Sequence, residues 1–248
     1  MSVHFEELGD PDDRTLLFVH GAGGSSATWF LQLRGLHESL HVVALDLNGH
    51  GKSPDRYEPD VIKSYLDDID SIVKQFDKPI LAGHSMGGAL TQLYAIKNPG
   101  LLSGVILVGT GSKLRVAPMI FDLLHNDFES YIQAVGEFMF HSSASEKMKA
   151  ASQAEVRKCL PEIISRDFTV CNEFNIMDTI HELQIPTLIL VGSNDQMTPI
   201  KYSQYLLDEI SDSHMVVIDE AGHSVMLEQS EEFNQEILQW LQRKNLLT

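Results

Sequence analysis

The chain of 248 residues contains only two cysteines, Cys159 and Cys171. Two thiols cannot build a zinc site alone, they lack CxxC spacing, and nothing in the sequence supports a disulfide between them. Long apolar runs are also missing. The most continuous, at residues 105–108 and 188–191, fall far short of the ~20 residues that a membrane-spanning helix requires. Basic residues are scarce: 18 lysines and arginines stand against 35 aspartates and glutamates, a formal charge of −17. A field of that sign repels phosphate backbones and anionic headgroups, so neither nucleic acid nor a membrane is expected as a partner. Internal repeats and low-complexity tracts are absent, and the acidic residues are interleaved with apolar ones, which argues against disorder. No signal-peptide pattern opens the chain, where Met1 runs straight to His4, Glu6 and Glu7. A reducing cytoplasm is therefore the expected location.

What is present is periodic. Short apolar runs at residues 15–19, 42–45, 80–82, 104–108, 187–191 and 215–218 read as buried strands. Being continuous rather than alternating, they suit a parallel sheet covered on both faces. Between them, residues 61–76 place Ile62, Tyr65, Ile69, Ile72, Val73 and Phe76 on one helical stripe, which Pro79 ends before the next strand. Residues 86–97 and 231–243 read as further helices. This alternation predicts an α/β fold with an open, doubly wound sheet. The rhythm breaks from 111 to 183, where only helical pieces are found, at 119–124, 128–140, 144–160 and 163–168. The expected organisation is a single domain over 1–248, with residues 111–183 inserted as a helical cap over the carboxyl edge of the sheet.

Gly83-His84-Ser85-Met86-Gly87 lies between the strand at 80–82 and the helix at 86–97. This is the GxSxG nucleophile-elbow pattern, in which a strained turn exposes the serine hydroxyl and glycines let strand and helix approach. A serine needs a base. Among eleven histidines, His4, His37, His41, His125, His141, His181 and His214 read as surface or packing residues. His84 adjoins the serine, but a neighbour in an elbow points away from it. His223 is the candidate, on the loop after the strand at 215–218 and aimed at the same sheet edge as Ser85. Two acids follow strands, Asp195 after 187–191 and Asp219 after 215–218. Chain order serine–acid–histidine, with the acid on its own loop, favours Asp195 and leaves Asp219 as a turn residue.

With these residues the sequence resembles the α/β-hydrolase superfamily, in the small capped branch that includes carboxylesterases, C–C bond hydrolases and perhydrolase-like enzymes. The likeness spans nearly the whole chain. It rests on residues 20–25 (HGAGGS), residues 46–53 (DLNGHGKS), the elbow, Asp195, and Ala221-Gly222-His223. The resemblance implies a mostly parallel central sheet with helices on both faces. It also implies Ser85 as nucleophile, His223 as base, Asp195 as acid, and an oxyanion hole from the backbone N–H groups of Ala22 and Met86. For Met86 the residues agree, because the first amide of a helix has no acceptor within it. His20 is expected to brace its loop. Ala22 stands where relatives often carry a bulkier apolar residue, which widens the pocket expected there.

Serine at the elbow separates the chain from dehalogenase and epoxide-hydrolase relatives, whose nucleophile is a carboxylate. The cap supplies Met119, Phe138, Met139, Phe168 and Met177, with Phe121, Phe140 and Phe174, as candidates for an apolar substrate pocket. Lys113 and Arg115 open the insertion and offer positive charge to an anionic substrate, although solvated surface charge is the favoured reading, and the acidic field disfavours CoA thioesters. The expected activity is hydrolysis of small to medium acyl esters without cofactor or metal. The alternatives are cleavage of a C–C bond in a meta-cleavage-type dicarbonyl, or a ligand receptor with little turnover on the same fold.

Overall fold

The computed structural model describes residues 3–247. Its strands are β1 (Phe5–Leu8), β2 (Thr15–Val19), β3 (His41–Leu45), β4 (Ile80–His84), β5 (Gly104–Val108), β6 (Thr187–Gly192) and β7 (Ser213–Ile218). They form one sheet in the order β1-β3-β2-β4-β5-β6-β7, parallel throughout except for β1, which runs antiparallel to β3. The chain moves from β2 out to β3 and then crosses to β4 on the other side of β2. Such a switch point opens a crevice at the carboxyl ends of the strands.

The helices are α1 (Phe30–Leu36), α2 (Val61–Val73), α3 (Met86–Lys97), α4 (Pro118–Asn126), α5 (Phe128–Phe138), α6 (Glu146–Val156), α7 (Pro161–Glu173), α8 (Ile200–Glu209), α9 (Val225–Glu228) and α10 (Ser230–Arg243). Because strand side chains alternate between faces, each central strand feeds two cores. Leu17, Val19, Val43, Leu45, Leu81 and Leu107 pack towards α2, α3 and α8. Leu16, Phe18, Val42, Ala44, Ala82 and Val108 pack with Trp29 and with Phe233, Ile237 and Trp240 of α10. Both faces are covered, which is why these runs carry no polar alternation.

Strands β2 and β5 and helix α3 occupy the ranges their patterns predict. Helix α2 stops at Val73, three residues early, because Gln75 and Phe76 turn back onto the Ile72 and Val73 carbonyls at 3.0 and 3.1 Å. Strand β7 departs from expectation: it is half exposed, with Val217 at 36%, because it is the sheet's edge. Strand β1 carries no legible signal, since Phe5-Glu6-Glu7-Leu8 is short, acidic and half exposed. Helices α1 and α8 also lay outside the sequence reading.

Helices α4 to α7 lie between β5 and β6. The ends of this insertion meet in a short antiparallel bridge, with Ile176 N–H donating to the Ser112 carbonyl at 2.8 Å. Helix α6 is shorter than the pattern at 144–160, starting where the Ser145 hydroxyl accepts from Met148 N–H at 3.2 Å. Helix α7 is longer than 163–168. Both cysteines are buried and free, and no helix among the described residues is long and apolar enough to cross a membrane.

The approach of α3 to the sheet sets a testable constraint. A Cβ at Gly83 would lie 2.2 Å from the Gly87 carbonyl oxygen, whereas at Gly100 it meets nothing within 4 Å. Urea unfolding is expected to show Gly83→Ala destabilised by about 1–3 kcal/mol, and Gly100→Ala changed by less than about 0.5 kcal/mol.

Candidate active site

Strand β4 ends at His84 and α3 begins at Met86, so Ser85 alone turns the chain. Its φ of 53° and ψ of −116° form a strained conformation for a residue with a side chain. Surrounding bonds hold it. Ser85 N–H donates to the Val108 carbonyl at 2.9 Å, and the Ser85 carbonyl accepts from Ala89 N–H at 3.1 Å and from the Thr110 hydroxyl at 2.9 Å. At Gly87 a Cβ would lie 2.4 Å from the Val19 carbonyl oxygen. Only glycine lets α3 dock on β2 here.

The loops after β6 and β7 bring Asp195 and His223 together. His223 Nδ1–H donates to Asp195 Oδ2 at 2.8 Å, and both side chains are buried. Asp195 Oδ1 also accepts from the N–H groups of Met197 and Thr198 at 2.9 and 2.8 Å, and Oδ2 from the Thr198 hydroxyl at 2.8 Å. Burial works against the charge, but His223 and the Thr198 hydrogen bonds hold the Asp195 carboxyl below the usual carboxylate range. With Nδ1 carrying the proton, Nε2 of His223 is left as an acceptor. Asp219 is exposed beyond β7, and no hydrogen bond joins it to His223 among the described residues. Thr198 escaped the sequence reading, although a threonine three residues after an aspartate is a side-chain-to-backbone turn signal.

His84 is more closely involved than its position suggested. Its Nε2–H donates to the His223 carbonyl at 3.0 Å, and the two rings lie 4.6 Å apart. Burial and the neighbouring His223 pull its pKa down to about 3. His20 braces its loop as expected, donating from Nδ1 to the Gly21 carbonyl at 2.8 Å and accepting Leu47 N–H at Nε2 at 3.2 Å. Burial, with the adjacent His50, holds His20 at about 4. A Cβ at Gly21 would lie 3.3 Å from the Ser85 Cβ, so the loop at 20–24 runs directly beside the elbow.

Ser85, His223, Ala22 and the glycines around Ala22 border a cavity of about 750 Å³. From the insertion, Met119, Phe138, Met139 and Phe168 line it, together with Arg115. Met177 does not. It sits where the chain returns to the sheet, 36% exposed, with its carbonyl accepting the Tyr205 hydroxyl at 3.2 Å. Lys113, Phe121, Phe140 and Phe174 are outside the wall as well. Tyr202 of α8 and Phe30 of α1 line the cavity without having been singled out. The insertion is tied to the His223 loop: Glu228 accepts from His141 N–H at 2.6 Å and from Gly222 N–H at 2.9 Å, and Ser224 N–H donates to the Met139 carbonyl at 2.9 Å. Among the described residues no group of three or more His, Cys, Asp or Glu could hold a metal ion.

A model of the alpha/beta hydrolase family matches residues 16–236. The chain is 26% identical over 259 residues to "Putative carbamate hydrolase RutD" from Rhizobium rhizogenes, covering 98% of this chain and 99% of that protein. It is 27% identical over 254 residues to proline iminopeptidase PfmaB from Pestalotiopsis fici, covering 89% of each. A solved thermophilic esterase superposes with a TM-score of 0.85 at 29% identity, covering 98% of this chain and 94% of that one.

The neutral, buried His20 and His84 make stability depend on pH. An unfolded histidine protonates near 6.5, whereas these two resist until about 4 and 3. Unfolding therefore takes up protons below about pH 6.5, and stability falls as pH drops through that window by up to ~1.4 kcal/mol per pH unit for each histidine. Urea unfolding at pH 7.5, 6 and 5 is expected to show this fall, with a shallower slope in His84→Gln. A slope identical to that of the unaltered protein would refute the assignment for His84.

Proposed function

The chain belongs to the alpha/beta hydrolase family, and we propose that within it the protein is a serine hydrolase of small to medium carboxylic esters. The observation that carries this reading is the strained Ser85 lining an apolar cavity that it shares with His223, whose far nitrogen is bonded to the buried Asp195. Ser85 attacks the acyl carbonyl while Nε2 of His223 takes its proton. The resulting imidazolium is stabilised by Asp195, whose own charge Thr198 helps to keep. The N–H groups of Ala22 and Met86 receive the oxyanion. Collapse expels the alcohol, protonated by His223, and leaves an acyl-enzyme on Ser85. Water deprotonated by His223 then releases the acid. Met119, Phe138, Met139 and Phe168 give the acyl or alcohol group an apolar seat of the kind ester substrates use. The likeness to a thermophilic esterase supports this substrate class.

A second reading shares every step up to the leaving group. The match along almost the full length of a protein named for carbamate hydrolysis favours a carbamate, in which an amine or ammonia leaves from the same carbonyl. Competition between p-nitrophenyl esters of graded chain length and alkyl carbamates separates the two by kcat/KM, and a dienone C–C substrate serves as the third arm.

Fluorophosphonate is expected to label one site per chain and to lose it in Ser85→Ala; a folded protein that resists labelling would sink the serine mechanism. In Asp195→Asn, kcat is expected to fall by about 10⁴-fold through loss of the correct histidine tautomer. Asp219→Asn is expected to leave kcat unaltered, and the reverse pattern would reassign the acid.

A further inference from the structure

Asp167 stands on α7, inside the insertion, yet its carboxylate is buried at the end of the sheet. Oδ2 accepts from Gly23 N–H at 2.8 Å and from His50 Nε2–H at 2.8 Å, and Oδ1 accepts from the Tyr65 hydroxyl at 2.5 Å. The other nitrogen of His50 faces the Asn48 carbonyl at 3.2 Å. Both ring nitrogens thus meet acceptors, and the ring is an imidazolium that compensates the carboxylate. Burial disfavours both charges, but each partner holds the other ionised, His50 raised and Asp167 lowered. The adjacent Arg166 fastens α7 to the same region, donating to Asp55 at 3.0 Å and to the Asn48 carbonyl at 3.1 Å.

The bond to Gly23 reaches the chemistry. Gly23 follows Ala22, has a φ of +66°, and lies under Ile164 of α7, which a Cβ there would approach to 3.1 Å. Gly24 N–H closes onto the Gly21 carbonyl within the loop at 3.1 Å, whereas Gly23 N–H is anchored 144 residues away. We propose that Asp167 is a positioning residue whose carboxylate holds the loop at 20–24 in register with Ser85, so that the Ala22 N–H meets the oxyanion. The proposal rests on the ester-hydrolase reading for Ala22. A group that acts only by aiming this donor stabilises the transition state and leaves substrate binding alone.

Asp167→Asn keeps the shape of the side chain but offers one acceptor oxygen to three donors. The double variant His50→Gln/Asp167→Asn removes both charges and remains usable if a lone buried imidazolium prevents folding. In either, kcat on p-nitrophenyl butyrate is expected to fall by about 10²-fold, the scale of a small misplacement at a reacting centre. KM should stay within about two-fold, and affinity for a trifluoromethyl ketone should fall by the same factor as kcat/KM. Exchange of the Gly23 amide hydrogen should quicken at least about ten-fold as its carboxylate partner is lost. A folded variant with a lower Tm but unaltered kcat and ketone affinity would overturn the proposal and leave Asp167 a purely structural residue. If the unaltered protein neither turns over esters nor takes fluorophosphonate, the ester-hydrolase reading itself fails. The Gly23 amide then decides the anchoring alone: faster exchange supports it, and unchanged exchange overturns it.

Discussion

At the end of β4 there is no room for a side chain at residue 83 or residue 87, because the backbones of β4, β2 and α3 lie almost in contact. That contact leaves a single residue to reverse the chain, and Ser85 takes a φ of 53° to do so. The rest of the site depends on this constraint. A serine in that turn stands clear of both strand and helix, and Met86 becomes the first residue of α3, with an amide that no helical carbonyl can satisfy. Since β2 is the neighbour of β4, the loop leaving β2 necessarily passes beside the serine.

Two buried carboxylates, each paired with a histidine, flank this turn in the folded chain. Asp195 and His223 come from loops of the sheet, whereas Asp167 comes from the insertion and His50 from the loop after β3. The distances are alike, 2.8 Å in each pair, but the remaining ring nitrogen differs. In His50 it meets the Asn48 carbonyl, so the ring is a fixed cation and its partner a fixed anion. His223 instead lines the cavity, and its second nitrogen meets no acceptor among the described residues. Supply of acceptors, more than pair distance, separates a structural imidazolium from a proposed base. The insertion thereby touches both the loop at 20–24, through Asp167 at Gly23, and the region after β7, through His141 at Glu228 and Met139 at Ser224.

The acidic composition has little to do with any of this. Between residues 111 and 183 the chain carries seven basic and eleven acidic residues, so the negative charge is spread over insertion and sheet alike. The two carboxylates that organise the site are buried and matched, while the cavity wall is chiefly apolar.

Much of the architecture was legible in the sequence because its causes are local. Continuous apolar runs marked the strands buried on both faces, and the glycines at 83 and 87 marked the elbow between β4 and α3. Loops that follow strands pointed to Asp195 and His223. The edges were less legible: β1 carries no apolar run at all, and β7 was marked by the run at 215–218 but is half exposed, because an edge strand is not covered as a central one is. The residues of the insertion divided for a related reason. A methionine or phenylalanine has the same spacing whether it lines the cavity, as Met119 and Phe138 do, or lies off it, as Met177 does. Only tertiary structure set His84 behind His223 and carried Asp167 across 144 residues to Gly23, and it put Asp195, the acid the sequence order favoured, against His223. Those contacts join distant parts of the chain through single hydrogen bonds, and a hydrogen bond leaves no periodic trace in the sequence that makes it.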